Sequence, residues 1–248
     1  MKQNNFLNSL KGILIILIII TNLAHIIRIY YDWVIYGFYS FHLPLFFGIG
    51  GYVIKEKSLN LPFSKFLKKY FQRLLLPFFT AWAIFFLIYN SKINADILYR
   101  NIIYPIFHLW FVYTFFFSIL IVWTLKKLNM TNDSILIVGI LLMCIFLIFR
   151  ITHTKSIFIH AYHPSYIVFF IMGYYIKREK IQTSIKKTLP AYVILWIVRW
   201  SLINNENMSL DNVSFYGLNF VSVLLFLSLS EKYKERKYNK VICWMGKN

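Results

Sequence analysis

Long apolar runs alternate with short, lysine-rich polar segments along the whole chain. Most runs approach the roughly 20 residues that a helix needs to cross a hydrocarbon core about 30 Å thick. We therefore predict an all-α fold, a polytopic transmembrane bundle of about eight membrane helices followed by the start of a ninth near Val241. The predicted spans are residues 9–29, 34–54, 75–91, 105–125, 134–150, 158–176, 189–204 and 213–230.

Composition and charge support this class of protein. Of the 248 residues, 59% are hydrophobic and only 15% are charged, whereas soluble domains carry about 25% charged residues. The net charge of +18 would suit nucleic acid, but 21 of the 27 lysines and arginines fall on one side of the predicted bundle. This asymmetry predicts a multi-pass plasma-membrane protein with both termini in the cytoplasm, whose partner is membrane lipid and not nucleic acid.

Polar side chains within the predicted spans mark the candidate chemistry, because an ionisable group at membrane depth is costly. In the first span Lys11, Asn22 and His25 fall within roughly 60° of one another around the helix axis. In the second span His42 precedes Pro44, which removes a backbone hydrogen bond and can open the helix locally. His25 and His42 fall at similar depth, and either could carry a proton near neutral pH. The alternative is that both are interface residues bonded to their neighbours.

Two further features of the sequence, a basic segment and an arginine within a span, each have two possible interpretations. Residues 55–73 place apolar side chains at helical spacing with lysines between them, which predicts an amphipathic helix on the membrane surface. Its cations either anchor the chain to anionic lipid or face an anionic cytosolic ligand. Arg199 interrupts the seventh span and either reaches the outer interface or faces a cavity, where it would bind an anionic or sugar group. No spacing typical of a metal site, a nucleotide loop or a serine hydrolase occurs in the sequence.

Short motifs in a characteristic order carry a family resemblance. The most specific is Phe41-His42-Leu43-Pro44-Leu45-Phe46-Phe47 followed by Gly51-Tyr52. The other matching motifs are Lys11-Gly12, Arg73-Leu74-Leu75-Leu76-Pro77, Leu109-Trp110-Phe111, Phe169-Phe170-Ile171-Met172-Gly173-Tyr174-Tyr175 and Met245-Gly246-Lys247-Asn248. With these motifs the chain resembles the acyltransferase-3 family of bacterial integral-membrane acyltransferases. Its branch looks like that of the glycan O-acetyltransferases and the exopolysaccharide modification or export proteins.

The resemblance implies a single acyltransferase-3-like membrane domain over residues 1–248. Its implied activity is transfer of an acyl group, acetyl in particular, to a hydroxyl of a cell-surface polysaccharide or its precursor. The implied donor substrate is acetyl-CoA or another cytosolic acyl-CoA, with no bound cofactor and no metal, and the acceptor is a glycan. The implied site residues are, for catalysis, His42 and His25; for donor binding, Arg73, Lys69 and Lys11; and, as other cavity residues, Asn22, Trp110 and Arg199.

The chain also departs from the family pattern. Asn8 stands where the family usually has an aspartate before Lys11, and Asn22 where it usually has a histidine. Gly50 replaces a serine, and Tyr70 replaces the first arginine of an Arg-x-x-Arg motif. The chain is expected to lack the family's last helices. Two alternatives to acyl transfer therefore stay open: a polysaccharide export component working with synthesis or export proteins, and a shortened, inactive paralogue.

Overall fold

The computed structural model describes residues 4–26, 37–38, 41–89, 94, 99, 109–151, 163–202, 208–234 and 240–247, and most of these residues are helical. No strand occurs among those residues, so the predicted all-α class is confirmed. The helices are α1 (Asn5–Ile26), α2 (His42–Val53), α3 (Glu56–Leu59), α4 (Phe63–Tyr70), α5 (Leu76–Tyr89), α6 (Trp110–Lys127), α7 (Asn132–Ile151), α8 (Ile167–Arg178), α9 (Ile185–Leu202), α10 (Met208–Lys232) and α11 (Lys240–Lys247).

Several of these helices have the length and composition of membrane spans. Four helical stretches in the described residues are long and apolar enough to cross a membrane: Phe63–Ile88, Trp110–Lys127, Asn132–Phe149 and Val213–Lys232. Two shorter helical stretches, Asn5–Thr21 and His42–Val53, are also apolar. The chain is therefore a multi-pass membrane protein, and the total of about eight spans stays a prediction.

The chain divides into two compact units. We call residues Met1–Val53 with Ile176–Asn248 the terminal unit, and residues Ile54–Tyr175 the central unit. Each unit gathers its own set of helices, and the candidate site residues are distributed over both.

In the central unit, α4 packs its apolar side against α6. The Phe66 ring is fully buried and lies 5.0 Å from the Trp123 ring, centroid to centroid. The Trp123 indole N–H donates to the Leu61 carbonyl at 3.0 Å, which fixes the turn before α4. The basic helix is therefore held by protein contacts along part of its apolar face, while Phe63 is 54% exposed.

The same basic helix continues into the next apolar helix. The sequence had predicted two separate helices that meet near residue 74. A π-helical turn, Phe71–Leu75, joins α4 directly to α5. Pro77 has no N–H to offer the carbonyl of Arg73, and the helix widens in the residues just before it. The proline therefore reshapes this helix without ending it.

In the terminal unit, α9 and α10 run antiparallel. The Thr183 and Ser228 hydroxyl oxygens are 2.7 Å apart near one end of the pair, and Arg199 contacts Ser214 near the other. Helix α2 packs on α10, where Gly48 faces the side chain of Val223. Helix α1 packs against both α2 and α11.

Helices α1 and α11 meet through their backbones at two glycines. A methyl group built on Gly246 would lie 1.9 Å from the Asn8 carbonyl oxygen, and one on Gly12 would lie 2.3 Å from the Ile242 carbonyl oxygen. The hydroxyl of Ser9 and the thiol of Cys243 are 2.9 Å apart beside this crossing. Small residues permit such close approach between helices in lipid, so neither glycine tolerates a side chain.

This crossing predicts a sharp loss of stability on a minimal substitution. Gly246→Ala should lower the free energy of unfolding by about 3 kcal/mol, because the added methyl group must push two backbones apart. Unfolding of the purified protein by a denaturing detergent would measure it.

Gly217→Ala is the matched control, since a methyl group there would meet the nearest atom, in Leu195, at 3.8 Å. In a helix it should be neutral or stabilising by up to about 1 kcal/mol. Equal stability of both variants would show that α1 and α11 are not in this contact.

Candidate functional site

The imidazole of His42 is buried in the terminal unit at the start of α2, with 1% of the residue exposed. Its Nδ1 lies 2.5 Å from the carbonyl oxygen of Phe38. Because a carbonyl only accepts, Nδ1 must carry the hydrogen, and the lone pair of the neutral ring is then on Nε2. The backbone thus selects one tautomer, and the ring is enclosed by protein rather than lipid.

The residue before His42, Phe41, belongs to an aromatic cluster of the terminal unit. The Phe41 ring stacks on Phe226 with centroids 6.2 Å apart, and both rings meet Tyr192 edge-on. Stacked and edge-on ring pairs are favourable packing geometries, so this cluster holds the start of α2 against α9 and α10.

Three other predicted residues lie on α1. Lys11 is half-buried and is adjacent to Gly12 at the crossing with α11. Asn22 and His25 belong to the helix, but their side chains lie outside the described part of the structure. The predicted meeting of His25 with His42 therefore stays a prediction.

Arg199 lies between α9 and α10 and is 7% exposed. It donates from Nη1 to the Ser214 hydroxyl at 3.4 Å, and its guanidinium carbon is 5.0 Å from the centre of the Phe215 ring. The guanidinium is therefore buried among protein side chains, and the interpretation that it reaches the outer interface stays a prediction. Binding of a sugar or an anion by Arg199 stays a prediction.

A cationic face on the helix through α4 and the π-turn is the second candidate site. Its residues recur at spacings of three and four and line a concavity of about 410 Å³. They are Lys65, Lys68, Lys69, Gln72 and Arg73. No carboxylate is among these lining residues, so the face is positively charged throughout. We call it the cationic face.

Packing holds part of the cationic face in place. The Lys69 ammonium donates to the hydroxyl of Ser58, which is itself buried on α3. The Lys69 ammonium also lies 5.4 Å from the centre of the Tyr70 ring, which is 9% exposed and packs on Phe66 with ring centroids 4.8 Å apart. Like charges fixed on one surface repel one another, and a ligand with several negative charges relieves that repulsion. Phosphates and carboxylates are the anionic groups that lysine and arginine donors bind.

Trp110 begins α6 and lies in an aromatic cluster of the central unit. Its ring centroid is 4.3 Å from His163 and 5.4 Å from Tyr166. His163 has a positive φ of 38°, a conformation that side-chain-bearing residues seldom adopt. Trp110 was predicted as a cavity residue, and the structure shows it as part of this cluster.

The sequence did not indicate a polar network that links three helices of the terminal unit. The Tyr52 hydroxyl donates to the carboxylate of Glu231, and the Lys177 ammonium lies 3.3 Å from that hydroxyl and 3.5 Å from the carboxylate. Asn219 was also missed: it is fully buried on α10 and donates to the Phe215 carbonyl at 2.7 Å. The available signals were weak: Tyr52 ends a motif, and Glu231 is one of only nine acidic residues.

No group of three or more histidine, cysteine, aspartate or glutamate side chains suited to a metal ion occurs in the described part of the chain.

The His42 geometry predicts its tautomer. NMR of protein labelled at the histidine ring nitrogens should show Nδ1 protonated and Nε2 unprotonated at a pH where the ring is neutral, because the Phe38 carbonyl holds the hydrogen on Nδ1. The signal is assigned by its loss in His42→Gln, with the His163 signal as internal reference. A neutral ring protonated on Nε2 would contradict the structure.

Comparison with known proteins gives one match. The profile of a family described as an acyltransferase domain matches residues 4–248. No curated protein and no solved structure matches the chain. The family match spans almost the entire length of the described helices, from α1 to α11, and agrees with the resemblance carried by the His42 and Arg73 motifs. The chain belongs to this family of membrane acyltransferases.

Proposed function

We propose that this protein transfers an acyl group, in the first instance acetyl, from cytosolic acyl-CoA to a hydroxyl of a cell-surface polysaccharide or its precursor. The observation that carries the proposal is the buried His42 ring, whose Nδ1 is engaged by the Phe38 carbonyl, in a chain that belongs to an acyltransferase family. A base in a water-poor setting with a defined tautomer is what O-acylation requires.

The reaction assigns Nε2 of His42 a proton-transfer role. Nε2 removes the proton of the acceptor hydroxyl while the hydroxyl oxygen attacks the thioester carbonyl carbon. The tetrahedral intermediate then collapses, the carbon–sulfur bond breaks, and the ester remains on the glycan. The imidazolium returns its proton to the departing thiolate, which leaves as the free thiol. No oxidant or reductant is needed.

The cationic face is the proposed donor site. The lysines around the concavity and Arg73 are positioned to bind the phosphates of acyl-CoA. The guanidinium of Arg73 can hold a phosphate by two parallel hydrogen bonds. The face thereby accounts for the predicted roles of Arg73 and Lys69. The predicted donor-binding role of Lys11, which belongs to the terminal unit, stays a prediction.

The proposed orientation is consistent with this donor. The bias of lysine and arginine supports the proposal that both termini and residues 55–73 lie on the cytoplasmic side of the bacterial plasma membrane, where acyl-CoA is made. The glycan acceptor and any polysaccharide synthesis or export proteins are the proposed partners. About eight spans would place the acceptor-facing loops on the opposite side.

Removing the base is the first test. His42→Gln should lower the rate of acetyl transfer from labelled acetyl-CoA to the polysaccharide by about 10²- to 10⁴-fold, the usual contribution of a general base. Binding of acetyl-CoA should stay within twofold of the original, because the cations are untouched. Membranes that contain the purified protein and the acceptor glycan would serve for the assay.

Ser118→Ala is the matched control, because this hydroxyl is fully buried in a helix and donates to the Thr114 carbonyl one turn back. It should keep full activity. If His42→Gln transferred acetyl normally while loss of the gene lowered the amount of surface glycan, an export role would replace the proposal. If neither changed, the inactive-paralogue alternative would hold.

Removing a donor cation is the second test. Arg73→Ala should raise the KM for acetyl-CoA by roughly 10- to 100-fold, the equivalent of about 1.5–3 kcal/mol for a charge-assisted hydrogen bond. The kcat should change little. Arg73→Lys should give an intermediate KM, since lysine keeps the charge but not the paired donors.

Lys187→Ala removes an equally exposed cation from a helix of the terminal unit that does not line the cationic face. Its KM should match that of the unaltered protein. A KM that stays constant in both variants would exclude the cationic face as the donor site, while leaving the role of His42 to its own test.

A further inference from the structure

A second concavity lies in the terminal unit. It is lined by residues of α2, α8, α9 and α10 and of the turns next to these helices. Its volume is about 290 Å³. The polar residues that line it are Tyr52, Gln182, Thr183, Ser228, Glu231, Lys232 and Lys234, and the apolar ones are Ile176, Ile181, Ile185 and Leu227. It is built from different residues and a different unit than the cationic face.

Hydrogen-bond donors for an anion are arranged around this concavity. Lys232 and Lys234 are exposed at its rim. The oxygens of Thr183 and Ser228 are 2.7 Å apart, so one hydroxyl donates to the other. The second hydroxyl then has its own hydrogen to offer to a ligand oxygen.

The one carboxylate in the wall, that of Glu231, is already compensated. It accepts from the Tyr52 hydroxyl, lies 3.5 Å from the Lys177 ammonium and lies 4.0 Å from the ammonium of Lys234. Two lysines therefore lie beside one carboxylate, and Lys232 adds a third positive charge at the rim, so the net charge here is positive. An anion is the ligand that this balance favours.

The apolar wall and the volume narrow the class of ligand. Ile181 is 37% exposed, so apolar surface adjoins the cationic rim. Small-molecule sites usually measure about 300–1,000 Å³, and this concavity is at the lower end of that range, too small for a whole acyl-CoA. A phosphate next to a short apolar group would fill it.

We propose that this concavity binds a phosphate ester, through Lys232, Lys234 and the paired hydroxyls of Thr183 and Ser228. An anionic phospholipid headgroup is one source of that chemistry, because basic pockets between membrane helices on the cytoplasmic side bind such headgroups. A soluble phosphate ester is the other source. The proposal is independent of the acyl-transfer reaction.

The full-length protein in nanodiscs provides the test. Phosphatidylglycerol in a phosphatidylcholine background is the lipid probe, and sn-glycerol 3-phosphate is the soluble probe. Native mass spectrometry counts bound lipid, and calorimetry measures the soluble ester. The double variant with Lys232→Ala and Lys234→Ala should lower the affinity for the bound probe by at least about tenfold, as expected for the loss of two charge-assisted contacts. The matched double variant Lys186→Ala with Lys187→Ala removes the same charge from exposed positions outside the lining and should change binding by less than twofold.

Glu231→Gln tests the proposal by a change in probe affinity that a purely structural role of these residues would not produce. It removes the wall's negative charge while its amide oxygen still accepts from Tyr52, so affinity for the probe should rise severalfold. Binding of phosphatidylglycerol alone would identify a lipid site, and binding of glycerol phosphate would identify a soluble ligand; either supports the proposal when the Lys232 and Lys234 variant loses it. Binding of neither probe, or an equal loss in both double variants, would overturn it.

Discussion

The terminal unit depends on a contact that only two glycines permit. Gly12 and Gly246 let the backbones of α1 and α11 meet, with no room for a methyl group on either residue. In lipid the hydrophobic effect does not drive helices together, so close packing of small residues does much of that work. Because α1 also packs on α2, the position of His42 depends indirectly on this crossing.

The two chemical features belong to different units, and each is secured by its own neighbours. His42 is fixed in the terminal unit by a backbone carbonyl, while the cationic face is fixed in the central unit by the packing of Phe66 on Trp123. A histidine base depends on a fixed ring orientation and a defined tautomer, whereas a phosphate-binding face needs access to solvent. Separate supports allow both conditions to hold in one chain.

Periodicity and charge in the sequence were sufficient for the helical class, the membrane character and the face that carries Lys69 and Arg73. These follow from local spacing, since residues three and four apart share a helix face. Pairings across the chain were out of reach: nothing local connects Tyr52 to Glu231, or Gly12 to Gly246. The continuation of α4 into α5 was missed as well, because the basic segment 55–73 and the span that begins at residue 75 were predicted as separate helices, whereas a π-turn just before Pro77 joins them.

The cationic face also bears on the departures from the family pattern. Tyr70 stands where the family usually has an arginine, and here it points inward, 9% exposed, against Phe66. An arginine in that orientation would have to bury its charge, at considerable cost. The adjacent Lys69 lines the concavity together with Arg73, four residues further along the same face. Lys69 and Arg73 thus form a pair of cations, with Lys69 one position before the family's first arginine. The replacement of that arginine by Tyr70 therefore does not by itself argue against donor binding.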